Sequence, residues 1–215
     1  MSTPRDDILA RIRGALEKTA PAARSDEARL LAAIPQRCAS VRPGLAGEAV
    51  AVFMAKAEAN LIGVRELASL SDVPAAVGGI LAMENIAPDI SVAPALAQLD
   101  WPSTMTIRSA KARLDERLTV SLAIGAIAET GSLVLCSGDD APSSLTYAGE
   151  RHVIVVHRKD ITSYLEDGLA AVKATQARWP RTVNLVSGPS RTADVAGIVV
   201  RPAHGPKAVT LLLIG

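Results

Sequence analysis

Three short polar segments in the C-terminal half of this 215-residue chain gather the side chains able to do chemistry. The first, Glu129-Thr130-Gly131-Ser132, interrupts two apolar runs, Val120–Ala128 and Ser132–Cys136. A carboxylate partly desolvated at such a bend suits proton transfer, which makes Glu129 a candidate acid/base. Thr130 and Gly131 let the backbone turn closely, and Ser132 offers a hydroxyl or N–H to the same ligand. A solvated acid at a hairpin tip fits the same spacing. In the second segment, Ser187-Gly188-Pro189-Ser190-Arg191-Thr192-Ala193-Asp194, an apolar strand runs into a Gly-Pro turn and Ser190 stands where it can cap a short helix. Strand ends of an open α/β sheet face a ligand crevice, helix N-termini favour anions, and the planar fork of Arg191 suits a carboxylate or phosphate. Asp194 then orients Arg191 for a ligand, or pairs with it in a plain surface turn. The third segment, His204-Gly205-Pro206-Lys207, sets a proton carrier and an ammonium around a turn, as a site or as a structural loop. His152, which opens an apolar strand, reads as a hydrogen-bonded core residue, and His157-Arg158-Lys159 as a solvated basic end.

Other chemistry finds no support. No serine sits in a GxSxG elbow, Gly78-Gly79 is not a dinucleotide fingerprint, and no phosphate loop of the GxxxxGK type occurs. Cys38 and Cys136 are far apart, so the chain has no thiolate set for zinc or an iron–sulfur cluster of its own. With a net charge of +1 and mixed signs, no basic face is evident for nucleic acid. The N-terminus has no apolar signal core and the run near Leu211 is too short to span a bilayer, so no membrane insertion is expected and the cytoplasm is the expected address.

Elements must position these segments. Hydrophobic residues are 49% of the chain, yet Phe53, two Trp and two Tyr are its aromatics, so the core is built from aliphatics in layered helices and sheet. Thr3, Pro4 and Asp6 predict the start of an amphipathic helix with Ile8, Leu9, Ile12 and Leu16 on one face. Residues 19–43 read as an irregular connector with at most a short helix over Glu27–Ala33, so residues 1–40 form an N-terminal helical arm and connector ahead of an α/β domain over 41–215. Val50, Phe53, Met54, Ala57 and Leu61 predict one core-facing helix, and Val73, Val77, Ile80 and Leu81 a second. Leu61–Val64, Ile90–Val92 and Thr104–Ile107 read as strands. Glu129–Gly131 predicts a tight hairpin or sharp bend. His152–His157, apolar without alternation, predicts a central strand of a parallel sheet covered on both faces. Asp160 is placed to cap a helix carrying Ile161, Tyr164, Leu165, Leu169 and Val172, ahead of strands Val183–Val186 and Ala208–Ile214.

Together, Ala126–Leu135, Gly188–Asp194 and His204–Lys207 resemble the lactate-utilisation protein C family, also called the LUD-domain family, and Asp7–Arg13 looks like its first helix. The resemblance implies an open, mainly parallel α/β sheet flanked by helices, similar to the ribose-5-phosphate isomerase and CoA-transferase-like fold. It also implies a role in oxidising L-lactate to pyruvate beside iron–sulfur partner subunits. The positions it carries over are Glu129, Thr130 and Gly131, then Gly188, Ser190, Arg191, Thr192 and Asp194, then His204, Gly205 and Lys207. The chain departs from the pattern at Ala148-Gly149-Glu150-Arg151, Ser132, Ala196 and Pro202. On this reading Arg191 and Lys207 hold a small carboxylate, Glu129 or His204 moves a proton, and electrons leave through a partner, because no flavin, nicotinamide or cluster motif is present. A self-sufficient sugar-phosphate isomerase or CoA-transferase-like enzyme, and a non-catalytic scaffold subunit, stay open beside it.

Overall fold

A computed structural model describes residues 4–18, 42–109, 111–113, 115–175, 179–195, 198–200 and 204–215, with backbone only for 16–18, 192–195 and 198–200. The expected connector with its helix over Glu27–Ala33, as well as Thr3, Cys38, Ala196 and Pro202, lie outside the described residues.

The chain divides into two compact units, Met1–Gly44 and Leu45–Gly215. In the first, Pro4–Lys18 forms helix α1, with Asp6 and Asp7 in its first turn and Ile8, Leu9 and Ile12 exposed. No helix among the described residues is long and apolar enough to cross a membrane.

The second unit is an α/β sandwich. Strands β1 (Ile62–Leu67), β2 (Asp89–Val92), β3 (Thr106–Arg108), β4 (Leu118–Leu122), β7 (Arg151–His157) and β12 (Ala208–Ile214) form a parallel sheet in the order β1-β12-β7-β4-β2-β3. β7 is central as its unbroken apolar run requires: it pairs with β12 and β4, and Val153 to Val156 are buried. A second sheet, in the order β8-β5-β6-β9, consists of β5 (Gly125–Ile127), β6 (Ser132–Cys136), β8 (Ile161–Thr162) and β9 (Val183–Val186). Strands β10 (Thr192–Val195) and β11 (Ile198–Val200) form a separate antiparallel pair.

Alternation along the parallel strands sends side chains to two cores. Ile154, Val156, Leu211 and Leu213 face the second sheet and helix α2 (Ala49–Ala59), whose Phe53 and Ala57 are fully buried among them. Val153, Val155, Leu212 and Ile214 face helix α3 (Val73–Met83) and the short helix α4 (Pro94–Ala97) through Val73, Val77, Ile80, Leu81 and Leu96.

Three sequence expectations are corrected. The run Val120–Ala128 is not one strand: it leaves the parallel sheet after Leu122 and enters the second sheet at Gly125, so only its end forms the hairpin with β6. Leu61 is not on the face of α2. The helix ends at Ala59, and Leu61 takes a left-handed backbone (φ 64°) and is exposed as the chain reverses into β1. Asp160 caps no helix. Its short 3₁₀ turn, Arg158–Asp160, leads into β8, where Thr162 O and Ser163 O accept the N–H groups of Ala128 and Glu129. That pairing delays the next helix, α6 (Leu165–Thr175), which follows helix α5 (Ser144–Tyr147) in the chain.

Candidate functional site

Two glycine turns and the end of one helix set the geometry. Gly131 has φ +66°, and a Cβ there would stand 2.7 Å from backbone and side-chain carbons of Lys56. Gly188 has φ +124°, and a Cβ there would collide with the carbonyl oxygen of Asn60. Both turns therefore press on the C-terminal end of α2 as only glycine allows. Asn60 fixes the first by donating from Nδ2 to Thr130 O at 2.9 Å. A hydroxyl chain joins the two turns: Ser132 Oγ donates to Thr130 Oγ1 at 2.7 Å and lies 2.6 Å from Ser187 Oγ.

The second and third segments are tied directly. Ser190 Oγ accepts the backbone N–H of His204 at 2.9 Å, and Ser190 N–H donates to Pro206 O at 2.8 Å. Ser190 therefore caps no helix, and strand β10 follows it. Between these segments lies a pocket of about 170 Å³, lined by Ser187, Gly188, Ser190, His204, Gly205 and Pro206 together with Thr146, Tyr147 and His152 and the apolar Leu185, Val186 and Val209. His152 and Val209 open strands β7 and β12, so the pocket sits at the amino ends of the parallel strands. This corrects the expectation that the Gly-Pro turn follows a strand of the main sheet: β9 pairs antiparallel with β6 in the second sheet, and its turn closes over the opposite end.

Of the positions expected in the site, Gly188, Ser190, His204 and Gly205 line this pocket. Ser132 and Thr130 stand behind its wall through Ser187. Arg191 is exposed, next in the chain after Ser190. The side chains of Thr192 and Asp194 are outside the described part. Lys207 does not stand free: Nζ is 3.4 Å from Glu150 Oε2, and its N–H donates to Glu150 O at 2.7 Å. The departure Gly149-Glu150-Arg151 thus supplies a carboxylate for Lys207 and Arg117, while Arg151 pairs with Glu84 at 2.7 Å. Glu129 is also engaged, since its Oε1 accepts the N–H of Leu165 at 2.7 Å. It supplies to the start of α6 the carboxylate that Asp160 does not, where unpaired N–H groups and the helix dipole favour negative charge.

Sequence reasoning passed over Thr146 and Tyr147, which carry no motif of their own, and gave Ser187, the first residue of the second segment, no separate role. Tyr147 OH donates to Asn184 Oδ1 at 2.5 Å. His152 is a buried, hydrogen-bonded residue as read, with Nε2 2.9 Å from Ser121 Oγ, yet it is also among the residues that line the pocket. Burial lowers its pKa to about 3, so the ring is neutral.

A second cavity, of about 410 Å³, lies at the other end of the sheet, lined by Ala95, Leu122–Ile124, Cys136–Ala141 and Thr175. Burial pushes the Cys136 thiol up from its ordinary value. Asp139 and Asp140 are exposed at this cavity and make no ion pair among the described residues. No group of three or more His, Cys, Asp and Glu suited to a metal occurs among the described residues.

An open parallel sheet with a mixed sheet and helices on its two faces defines the class: an α/β protein with ligand-sized hollows at both strand ends. Residues 111–214 match the family model of the LUD domain. A crystal structure of a DUF162 family protein from Deinococcus radiodurans has the same fold, with a TM-score of 0.57 over 80% of this chain and 100% of that one at 19% identity. Lactate utilization protein C of Deinococcus radiodurans is 31% identical over 91 residues, 42% of either chain. Uncharacterized protein YkgG of Escherichia coli K12 is 33% identical over 91 residues, 40% of this chain and 39% of that protein. The match therefore spans about two fifths of the length of these curated relatives.

Proposed function

We propose that this chain takes part in the utilisation of L-lactate and that the pocket at the amino ends of β7 and β12 binds a small 2-hydroxy or 2-oxo acid. The names of several relatives support the process. The observation that carries the site is the Ser190–His204 contact, which ties the second and third polar segments together at one hollow. Its volume is below the roughly 300–1,000 Å³ of pockets for drug-sized ligands, which favours a molecule of a few heavy atoms. Arg191, the residue after Ser190, supplies a guanidinium and His204 an imidazole for a carboxylate, while Ser187 and Ser190 supply hydroxyls.

Oxidation of a 2-hydroxy acid to a 2-oxo acid releases two electrons and two protons. The exposed imidazole of His204 can pass protons to solvent, and the electrons go to an iron–sulfur partner subunit. Glu129 caps α6 on this account and moves no proton, and Lys207 holds Glu150 in place of the ligand.

Calorimetric titration with L-lactate, pyruvate and inorganic phosphate tests the reading, with co-purification of iron–sulfur proteins as the second arm. The expected result is binding of both acids, weakened about tenfold in Arg191→Met or His204→Ala, the size of one charge-assisted hydrogen bond. Stabilisation by phosphate alone would instead support the isomerase or transferase reading. Binding of neither acid and capture of no iron–sulfur partner would overturn the proposal.

A further inference from the structure

His152 is 1% exposed, it is among the residues that line the amino-end pocket, and its buried Nδ1 has no hydrogen-bond partner. A buried polar atom left unpaired is costly, so one that persists in a native interior calls for a water, a ligand or strain to account for it. Three buried side-chain polar atoms among the described residues lack a hydrogen bond, and two of them, Asp89 Oδ1 and Arg108 Nε, belong to residues that form an ion pair with each other. The third belongs to a residue that lines a pocket. The other buried ionisable group of this kind is satisfied: Glu116 accepts from Ser91 at 2.5 Å and from Arg108 at 2.7 Å.

We infer that Nδ1 of His152 binds the 2-oxygen of the small acid held in this pocket, an inference that rests on the reading of the pocket proposed above. The exposed His204 in the pocket lining and the exposed Arg191, next in the chain to the lining residue Ser190, suit the carboxylate; the buried His152 offers a neutral ring and suits an uncharged oxygen. A neutral imidazole has one N–H and one lone pair, and the bond made by one nitrogen sets the state of the other. If the Ser121 hydroxyl donates to Nε2, Nδ1 carries the proton and donates to a keto oxygen. If Ser121 accepts from Nε2, Nδ1 presents its lone pair to a hydroxyl. The Ser121–His152 pair therefore serves both the 2-oxo and the 2-hydroxy form without gaining charge, which makes His152 a determinant of specificity and not a proton store.

The test compares L-lactate and pyruvate with propionate, which keeps the carboxylate and the three carbons but lacks the 2-oxygen. Wild type is expected to bind the first two about tenfold more tightly than propionate, because a site built around one hydrogen bond discriminates against the analogue without it. His152→Leu keeps the bulk, loses the nitrogen, and is expected to bind all three at the propionate level. Nitrogen-15 spectra of the three histidines, assigned with His157→Gln and His204→Gln, give a reading on wild type that stands even if the leucine variant does not fold. Lactate should shift Nδ1 of His152 and propionate should leave it unmoved. Lactate binding with Nδ1 unmoved, or a preference that survives in His152→Leu, overturns this inference alone. Failure of wild type to bind any of the three overturns the reading of the pocket and this inference with it.

Discussion

The two ends of the parallel sheet carry hollows of different origin. At the carboxyl end the cavity comes from topology: after β2 the chain passes to α4 on one face, after the neighbouring β4 it passes to the second sheet on the other, and the strand ends part between them. Such a switch point is where open α/β sheets commonly bind ligands. Yet its lining here joins aliphatic side chains and the hydroxyls of Ser137 and Thr175 to a thiol whose pKa burial raises and to two aspartates that repel an anion. At the amino end the pocket comes from sequence: two glycine turns braced on α2 and a Ser190–His204 contact fold loops over strand starts that topology alone would leave bare. The comparison teaches that fold places a hollow while side chains decide what can enter it, and among the described residues the amino-end pocket has no carboxylate in its lining.

The contrast can be sharpened by experiments on matched positions. The largest effect is expected from pH. His152 has a folded pKa of about 3 against 6.5, so between these values the unfolded chain binds a proton that the folded chain refuses. Its contribution is fully present above about pH 6.5 and is lost as pH falls toward 3, on the order of 5 kcal/mol in all. Urea unfolding at pH 7 and pH 4 should show a wild-type loss larger than that of His152→Gln by this order. At the other cavity Cys136 has the opposite sense. Its raised pKa contributes stability below the ordinary thiol pKa of 9 and loses it as pH rises above that value.

Backbone changes come next. Gly188→Ala forces a Cβ against Asn60 at a positive φ and should cost about 1–3 kcal/mol in denaturant unfolding, together with acid binding. Gly138→Ala at the carboxyl-end cavity meets nothing within 4 Å and should stay within about 0.5 kcal/mol. Glu129→Gln, which leaves the shape of the cap and removes its charge, should cost about 0.5–1 kcal/mol, measured by thermal unfolding, with lactate affinity unchanged. A loss of affinity there with stability intact would return Glu129 to the binding site. The smallest effect is expected of Asp139→Asn with Asp140→Asn, which should leave lactate and pyruvate affinity within twofold in the same calorimetric titration.

Much of the fold was legible because its strongest signals are periodic. The α2 and α3 faces, the unbroken apolar β7 and the β5–β6 hairpin all follow from side-chain spacing. What spacing does not carry is the sheet a strand joins. Val120–Ala128 is equally apolar on both sides of its break, and Val183–Val186 reads the same as an edge of either sheet, so the placement of the Gly-Pro turn could not be read. Within the site, the motif residues were visible but their partners were not. That Glu129 spends its carboxylate on Leu165, 36 residues on, and Lys207 its ammonium on Glu150, depends on long-range packing. His152 was visible as buried; its second nitrogen, unpartnered beside a pocket, was visible only in three dimensions.

The most direct test of the account maps amide shifts of the full chain during titration with L-lactate. Perturbations centred on Ser187, Gly188, Ser190 and His204, with Ser137 to Asp140 unmoved, are the predicted result. Shifts confined to Ala123, Ile124 and Ser137 to Asp140 would place the ligand at the carboxyl end of the sheet and contradict the account.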